Sequence, residues 1–187
     1  MLDDPFRSLS QLAQSTDSAR FAEMALPHLD AAYNLARWLT RDPGDASDVV
    51  QEAMVRALRF FGGFRGGNGK SWLLAIVRNT AFDWMKANRP AEVTTVGGDG
   101  ENEIEAIPAQ GDDPERALIR AVDKEQLDTL IAALPAEFRE CLILRELEDL
   151  SYKEIAAVVG VPIGTVMSRL ARARALMQRG WLKEETR

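Results

Sequence analysis

The sequence holds one cysteine and one histidine among 187 residues. A lone Cys141 excludes an internal disulfide framework and suits a reducing compartment. A lone His28 leaves little for a histidine-based metal cluster or a Ser-His-Asp triad, so neither metal nor cofactor is expected. Long apolar runs are missing as well: none approaches the roughly 20 residues that a membrane span requires. The start, Met1-Leu2-Asp3-Asp4, is acidic where a secretory signal is basic. These absences imply a cytoplasmic protein without membrane insertion. No segment reads as a strand, because the apolar residues recur with helical rather than two-residue period. An excess of base is lacking too. There are 23 Lys and Arg against 29 Asp and Glu, a net charge of −6, which argues against affinity for a polyanion.

The distribution of that charge changes the inference. The stretch 91–113 contains seven acids, no base, four glycines and Pro108. With no sustained apolar period, it reads as a flexible acidic linker. Outside it the chain is nearly neutral and its bases are clustered. Glu52 to Arg89 carries seven bases against two acids, and Gly164 to Lys183 carries five bases and no acid. Averaging over the whole chain therefore conceals two basic surfaces. The expected organisation is all-α, with a helical domain at 1–90, the linker at 91–113 and a second helical domain at 114–187.

In the first domain an early helix is expected at about 18–40. A second follows Pro43-Gly44, with Asp45 and Asp48 resembling a capping box. Its apolar stripe runs Val49, Val50, Ala53, Met54, Ala57, Leu58 and Phe61. Asp48, Gln51, Glu52, Arg56 and Arg59 occupy the opposite face. After the glycine-rich loop Gly62–Gly69, a further helix runs from about Lys70 to Asn88, with Leu73, Ile76, Val77, Thr80 and Trp84 inward. The second domain opens on Asp113-Pro114, an N-cap followed by proline at the first helical position. Leu118, Val122, Leu127, Leu130, Ile131 and Leu134 extend that helix to Pro135, and Ala136–Leu147 forms the next.

The most specific signal lies between Ser151 and Arg174. Ser151-Tyr152-Lys153-Glu154 is a capping box opening a short helix. Gly160 supplies the left-handed C-cap, and Pro162 starts a last helix to about Gln178. A short helix, a tight turn and a longer basic helix make a helix-turn-helix. Ile155, Ala156, Val166 and Leu170 lock the two helices. Thr165, Met167, Ser168, Arg169 and Arg172 face outward, where arginine can pair with guanine edges and hydroxyls with bases or phosphates.

These residues resemble a known family. Leu134-Pro135 through Arg174, with Tyr152-Lys153-Glu154-Ile155-Ala156 and Gly164-Thr165-Val166-Met167-Ser168-Arg169-Leu170, is similar to the C-terminal domain of the extracytoplasmic-function (ECF) sigma factors of bacterial RNA polymerase. Asp45-Ala46-Ser47-Asp48-Val49-Val50-Gln51-Glu52 resembles that family's polymerase-binding helix. Trp72-Leu73-Leu74-Ala75-Ile76-Val77-Arg78-Asn79, with Asp83, resembles its promoter-melting helix. The resemblance implies a sigma factor whose partners are core RNA polymerase, promoter DNA and an anti-sigma factor. It implies that Asp48, Gln51 and Glu52 dock on the polymerase. It also implies that Phe64, Arg65, Asn68 and Lys70 in the loop, with Arg78, Asn79 and Lys86 on the following helix, contact the opened −10 element. Flipped bases need stacking surface and hydrogen-bonding edges, which these residue types supply. The helix-turn-helix face is implied to read the −35 element.

The pattern departs from the family at Met167, where lysine is common, and at Ala171, where a basic or polar residue is common. Ala87, Asn88, Pro90 and Ala91 interrupt the bases that often follow the melting helix. A stand-alone helix-turn-helix regulator and an adaptor that sequesters an anti-sigma factor are the alternatives. Gly62 to Ser71 superficially resembles a phosphate-binding loop. That pattern requires a glycine five positions before Gly69, where Phe64 stands, so nucleotide hydrolysis is not expected, and no enzyme is expected at all. Cys141 reads as a buried small side chain.

Overall fold

In the computed structural model, which describes residues 17–88 and 125–184, helices account for nearly all of the described backbone and there is no strand among the described residues. The acidic stretch 91–113, the Asp113-Pro114 helix start, Leu118 and Val122 lie outside them. The elements are α1 (17–25), a 3-10 turn Leu26–His28, α2 (Leu29–Thr40), α3 (Pro43–Phe60), α4 (Gly69–Asn88), α5 (125–133), α6 (Ala136–Glu146), α7 (Tyr152–Val159) and α8 (Ile163–Glu184). Among the described residues no single helix is long and apolar enough to cross a membrane.

The expected helix at 18–40 is two helices. Pro27 has no N–H to donate, and the chain tightens into the 3-10 turn around it before α2 resumes. The start of α3 also differs from expectation. Asp42, not Asp45, is the N-cap, its side chain accepting the Asp45 N–H at 2.9 Å. Pro43 at the first helical position needs no partner for its nitrogen. Here the proline and glycine that looked like punctuation before a helix are its first turn.

In the first unit α2, α3 and α4 pack against one another. Alanine dominates the buried face of α3, with Ala46, Ala53 and Ala57 fully enclosed beside Val49. Such small side chains let helices approach closely, and the leucines of the neighbours fill the remaining space. Leu35 and Leu39 on α2 and Leu73 and Leu74 on α4 are fully buried, each contributing roughly 1.5–3 kcal/mol relative to exposure. On α4, Leu73, Leu74, Val77, Thr80 and Ala81 form the inward face, and Ile76 and Trp84 are half-buried beside it. Leu58, expected within the α3 stripe, is instead 45% exposed. It lies one position past Ala57, where the stripe has already turned to solvent.

In the second unit α6, α7 and α8 enclose Ile143, Leu144, Ile155, Val166 and Leu170. Arg139 ties the α5–α6 corner, donating from Nη1 to the carbonyls of Ala132 (2.6 Å) and Leu134 (3.3 Å). These carbonyls belong to the last turn of α5, which Pro135 prevents from continuing. The last helix runs past Gln178 to Glu184. The two units touch along α4 against α7 and α2 against α6.

Candidate nucleic-acid interface

The capping box is formed as its sequence implies. Ser151 Oγ accepts the Glu154 N–H at 3.3 Å, and the Ser151 N–H donates to the Glu154 carboxylate at 2.8 Å. The Ser151 hydroxyl also donates to that carboxylate, at 2.6 Å, and these contacts hold Glu154 below the ordinary carboxylate range. Gly160 adopts φ +74° at the C-cap. The turn then sets α7 and α8 at 100° to one another, the relation a helix-turn-helix requires. Ile155, Val166 and Leu170 are buried at the crossing, and Ala156 is half-buried beside them.

The outer face of α8 presents Met167, Ser168 and Arg172 to solvent, with Met167 53% exposed. Thr165 is half-buried, its carbonyl accepting from Ser168 Oγ at 2.9 Å. Arg169 departs from the outward placement read from the sequence. Its side chain is only 19% exposed and reaches Glu140 at 3.2 Å and Glu137 at 3.7 Å. The reason is rotational: Arg169 precedes the buried Leu170 and lies on the flank of α8 that faces α6.

In the first unit, the loop after α3 places Phe64 within an aromatic cluster. Its ring lies 5.9 Å from Phe61 and 5.0 Å from Trp72. Phe61, Phe64, Arg65, Gly66, Arg20 and Met24 border an open cleft of about 660 Å³. Arg65 is exposed, and the guanidinium of Arg20 lies 6.0 Å from the Phe61 ring. The Oδ1 atom of Asn68 accepts the Ser71 N–H at 3.0 Å, so this residue anchors the first turn of α4. On the outer side of α4, Asn79 and Lys86 are exposed. Asn79 and Asp83, four positions apart on α4, do not bond to each other. Asn79 accepts from Arg78 at 3.3 Å, and Asp83 takes Arg56 at 2.8 Å.

Asp48, Gln51 and Glu52 lie together on the exposed face of α3. Glu52 accepts from Arg56 at 2.9 Å, and Arg56, held between Asp83 and Glu52, is raised above the ordinary guanidinium value. Val55, 45% exposed one turn on, adds apolar surface to the same face. Sequence reading passed over it because a single exposed valine carries no pattern.

Arg78 and Lys70, the other two bases expected at the −10 element, reach carboxylates of the second unit. Arg78 grips Glu140 with two bonds, Nε to Oε2 at 2.6 Å and Nη2 to Oε1 at 3.1 Å. Its guanidinium also stacks 4.5 Å from the centre of the Phe82 ring. Lys70 meets Glu148 at 2.8 Å and its carbonyl at 2.9 Å. Asn68 donates to Glu154, and Asn34 donates to Glu148 at 3.4 Å. Glu140 is fully buried, and burial pushes its carboxyl above the usual value against the opposing pull of Arg78 and Arg169. Next to it Cys141 is buried, its thiol raised to about 11, chiefly by desolvation and then by Glu140. The sequence carried one hint of Glu140, a charged pair with Arg139 inside an apolar stretch. Its partner on α4, 62 residues away, left no local signal.

Comparison with known proteins agrees with this geometry. Residues 24–90 match the family Sigma-70 region 2, and residues 124–177 match Sigma-70, region 4. The RNA polymerase sigma-H factor of Pseudomonas aeruginosa is 34% identical over 90% of this chain and 89% of its own. The ECF RNA polymerase sigma-E factor of Escherichia coli K12 is 38% identical over 70% of this chain and 71% of its own. Among solved structures, the sigma factor RpoE of Bartonella quintana, in complex with the anti-sigma factor NepR, superposes with a TM-score of 0.65. It is 27% identical, over 87% of this chain and 96% of that one. CnrH, solved with the cytosolic domain of CnrY, shares the fold at TM-score 0.61 and 23% identity, over 94% of this chain and 96% of that one. With both regions matched in order and long relatives above 30% identity, the chain belongs to the sigma-70 family of RNA polymerase sigma factors, in its extracytoplasmic-function (ECF) group.

Proposed function

We propose that this sigma factor divides promoter reading between its two units and docks on core RNA polymerase through α3. The observation that carries the reading is the pairing, in one chain, of a helix-turn-helix whose first helix is capped at both ends with an exposed polar face on α3. On α8, Arg172, Ser168 and Met167 reach bases and phosphates of the −35 element, and Arg169 joins them once free of Glu140. Thr165, at the start of the helix, sits where a phosphate can be held. In the first unit, the cleft beside Phe64 and Arg65 receives an unstacked −10 base. Asn68, Lys70, Arg78, Asn79 and Lys86 line the path of the opened strand.

Asp48, Gln51 and Glu52 set the orientation on the polymerase, with Val55 adding apolar area to the contact. The protein performs no bond chemistry; it supplies binding energy that positions the polymerase and unstacks bases. Its place of action is the cytoplasm. The complex of RpoE with NepR supports an anti-sigma partner for this chain too. Both alternative readings, an operator-binding regulator and a sequestering adaptor, leave the exposed α3 face without a role.

The direct test is reconstitution. Purified protein added to core polymerase should give initiation at a defined subset of genomic templates, and Asp48→Ala/Glu52→Ala should abolish it by preventing assembly. Initiation by neither protein on any template would overturn the reading.

A further inference from the structure

Two rows of side chains run along the outer side of α8. Ile163, Met167 and Ala171 stand four positions apart, which puts them on one flank of the helix. Gly164, Ser168 and Arg172 form the row beside it. All six are exposed, the two large apolar side chains at 45% for Ile163 and 53% for Met167. Val166, Leu170 and Ala173 are buried on the opposite side, and their packing fixes the rotation of the helix. The apolar row is thus held in the open by the core beneath it.

A row of this chemistry gains nothing from a phosphate. Among the groups that base edges present in the major groove, only the 5-methyl of thymine is apolar. Met167 has the reach for it, being long, unbranched and polarizable. A long helical side chain leans toward the N-terminus, so Met167 lies over the turn that carries Ile163. Ala171, one turn further on, is small enough for the helix to approach the groove floor. Gly164 leaves open space beside Met167, since a side chain there would meet no atom within 4 Å.

The neighbouring row supplies the polar half of the reading. The Ser168 hydroxyl donates to the Thr165 carbonyl at 2.9 Å, so its oxygen remains free to accept. An A·T pair offers both complements on one major-groove edge, the adenine amino group as donor and the thymine methyl as apolar surface. Cytosine also offers an amino donor, but no methyl. Arg172 brings a positive charge within two turns of Met167, which suits a groove walled by phosphates better than an apolar protein surface.

From this arrangement we propose that Met167, backed by Ile163, reads the methyl group of a thymine in the −35 element while Ser168 accepts from the amino group of an adenine. The recognition helix then demands an A·T pair where a lysine at 167 would favour guanine. The inference rests on the −35 role assigned above to α8 and adds the base that this role requires.

Uracil tests it cleanly, because it differs from thymine only in lacking the 5-methyl group. Templates that support initiation by the full chain with core polymerase are rebuilt with uracil at each thymine of the −35 element in turn. The rate of open-complex formation is then compared for wild type and Met167→Ala. Met167 is exposed, so the variant should keep its fold, checked by circular dichroism. For wild type, uracil at one position should slow opening about fourfold, the loss expected on exposing one methyl group. Met167→Ala should be slow on both templates, because the two losses share one contact and do not add. Normal initiation by wild type with no uracil effect at any position would overturn the proposal and leave the −35 role of α8 standing. A uracil penalty that persists undiminished in Met167→Ala would overturn it too, as would a variant that fails to bind core polymerase, since the row would then be a protein contact. No initiation by wild type on any thymine-containing template would defeat the promoter-reading assignment itself.

Discussion

Arg172 and Arg169 show how much a single residue's setting matters. Both were read from the sequence as outward-facing groove readers. Arg172 is exposed, while Arg169 is ion-paired with Glu140 and Glu137. Arg172→Ala should therefore lower promoter-specific initiation by about 5- to 150-fold, the equivalent of roughly 1–3 kcal/mol for a groove-reading arginine. Polymerase binding, measured by co-elution, should be unchanged. Cys141 gives a second prediction at this scale. Its thiol is raised to about 11 by burial, so it is protonated and enclosed at neutral pH. Native protein should resist a thiol reagent at pH 8 and react stoichiometrically once unfolded in guanidinium. The sign is that of a raised acid: any stability tied to the protonated thiol persists below its ordinary value of 9.0 and is lost only as pH climbs toward 11. The sequence made Cys141 legible because it lies among apolar neighbours on a helix. It could not disclose where Arg169 points, because the choice between groove and α6 depends on a rotation of about one helical position.

Among the elements, termini marked by side chains were legible and those marked by backbone were less so. Ser151–Glu154 and Gly160 bound α7 as the sequence implied, because a capping box and a left-handed glycine have fixed spacings. Asp42 was missed as the cap of α3, since Pro43-Gly44 looked like a turn rather than a first helical turn. The break at Pro27 was likewise absorbed into one long expected helix. Two substitutions test these ends. Gly160→Ala meets no neighbouring atom within 4 Å, yet it must hold φ at +74°. It should cost about 1 kcal/mol in denaturant unfolding purely through backbone strain. Asp42→Ala removes the acceptor for the Asp45 N–H and should cost about 0.5–2 kcal/mol, with Asp42→Asn restoring most of it.

For the molecule as a whole, the two units and the helix-turn-helix were legible because each depends on local periodicity and capping. Their mutual arrangement was not. Contacts such as Asn68 with Glu154 join residues 86 positions apart, and charge counted by segment does not reveal that bases of one segment have found acids of another. A mixed response to salt should result. Asn68–Glu154 lies at the exposed rim, whereas Lys70–Glu148 and Arg78–Glu140 each set a buried carboxylate against a largely covered base. Screening acts on exposed charges much more than on buried pairs, so raising salt alone should loosen α7 without separating α4 from α6. In the proposed docking, core polymerase acts at a different place, the open face of α3. In amide hydrogen exchange, adding polymerase at constant salt should slow α3 over 48–59 and quicken the α6–α7 turn over 147–156. Adding promoter DNA to that complex should then slow α8 over 164–172. Protection of α3 without faster exchange at 147–156 would mean that the units stay joined on the polymerase. Two rigidly joined units could not reach their separate promoter elements, so faster exchange at that turn should accompany every initiation-competent complex.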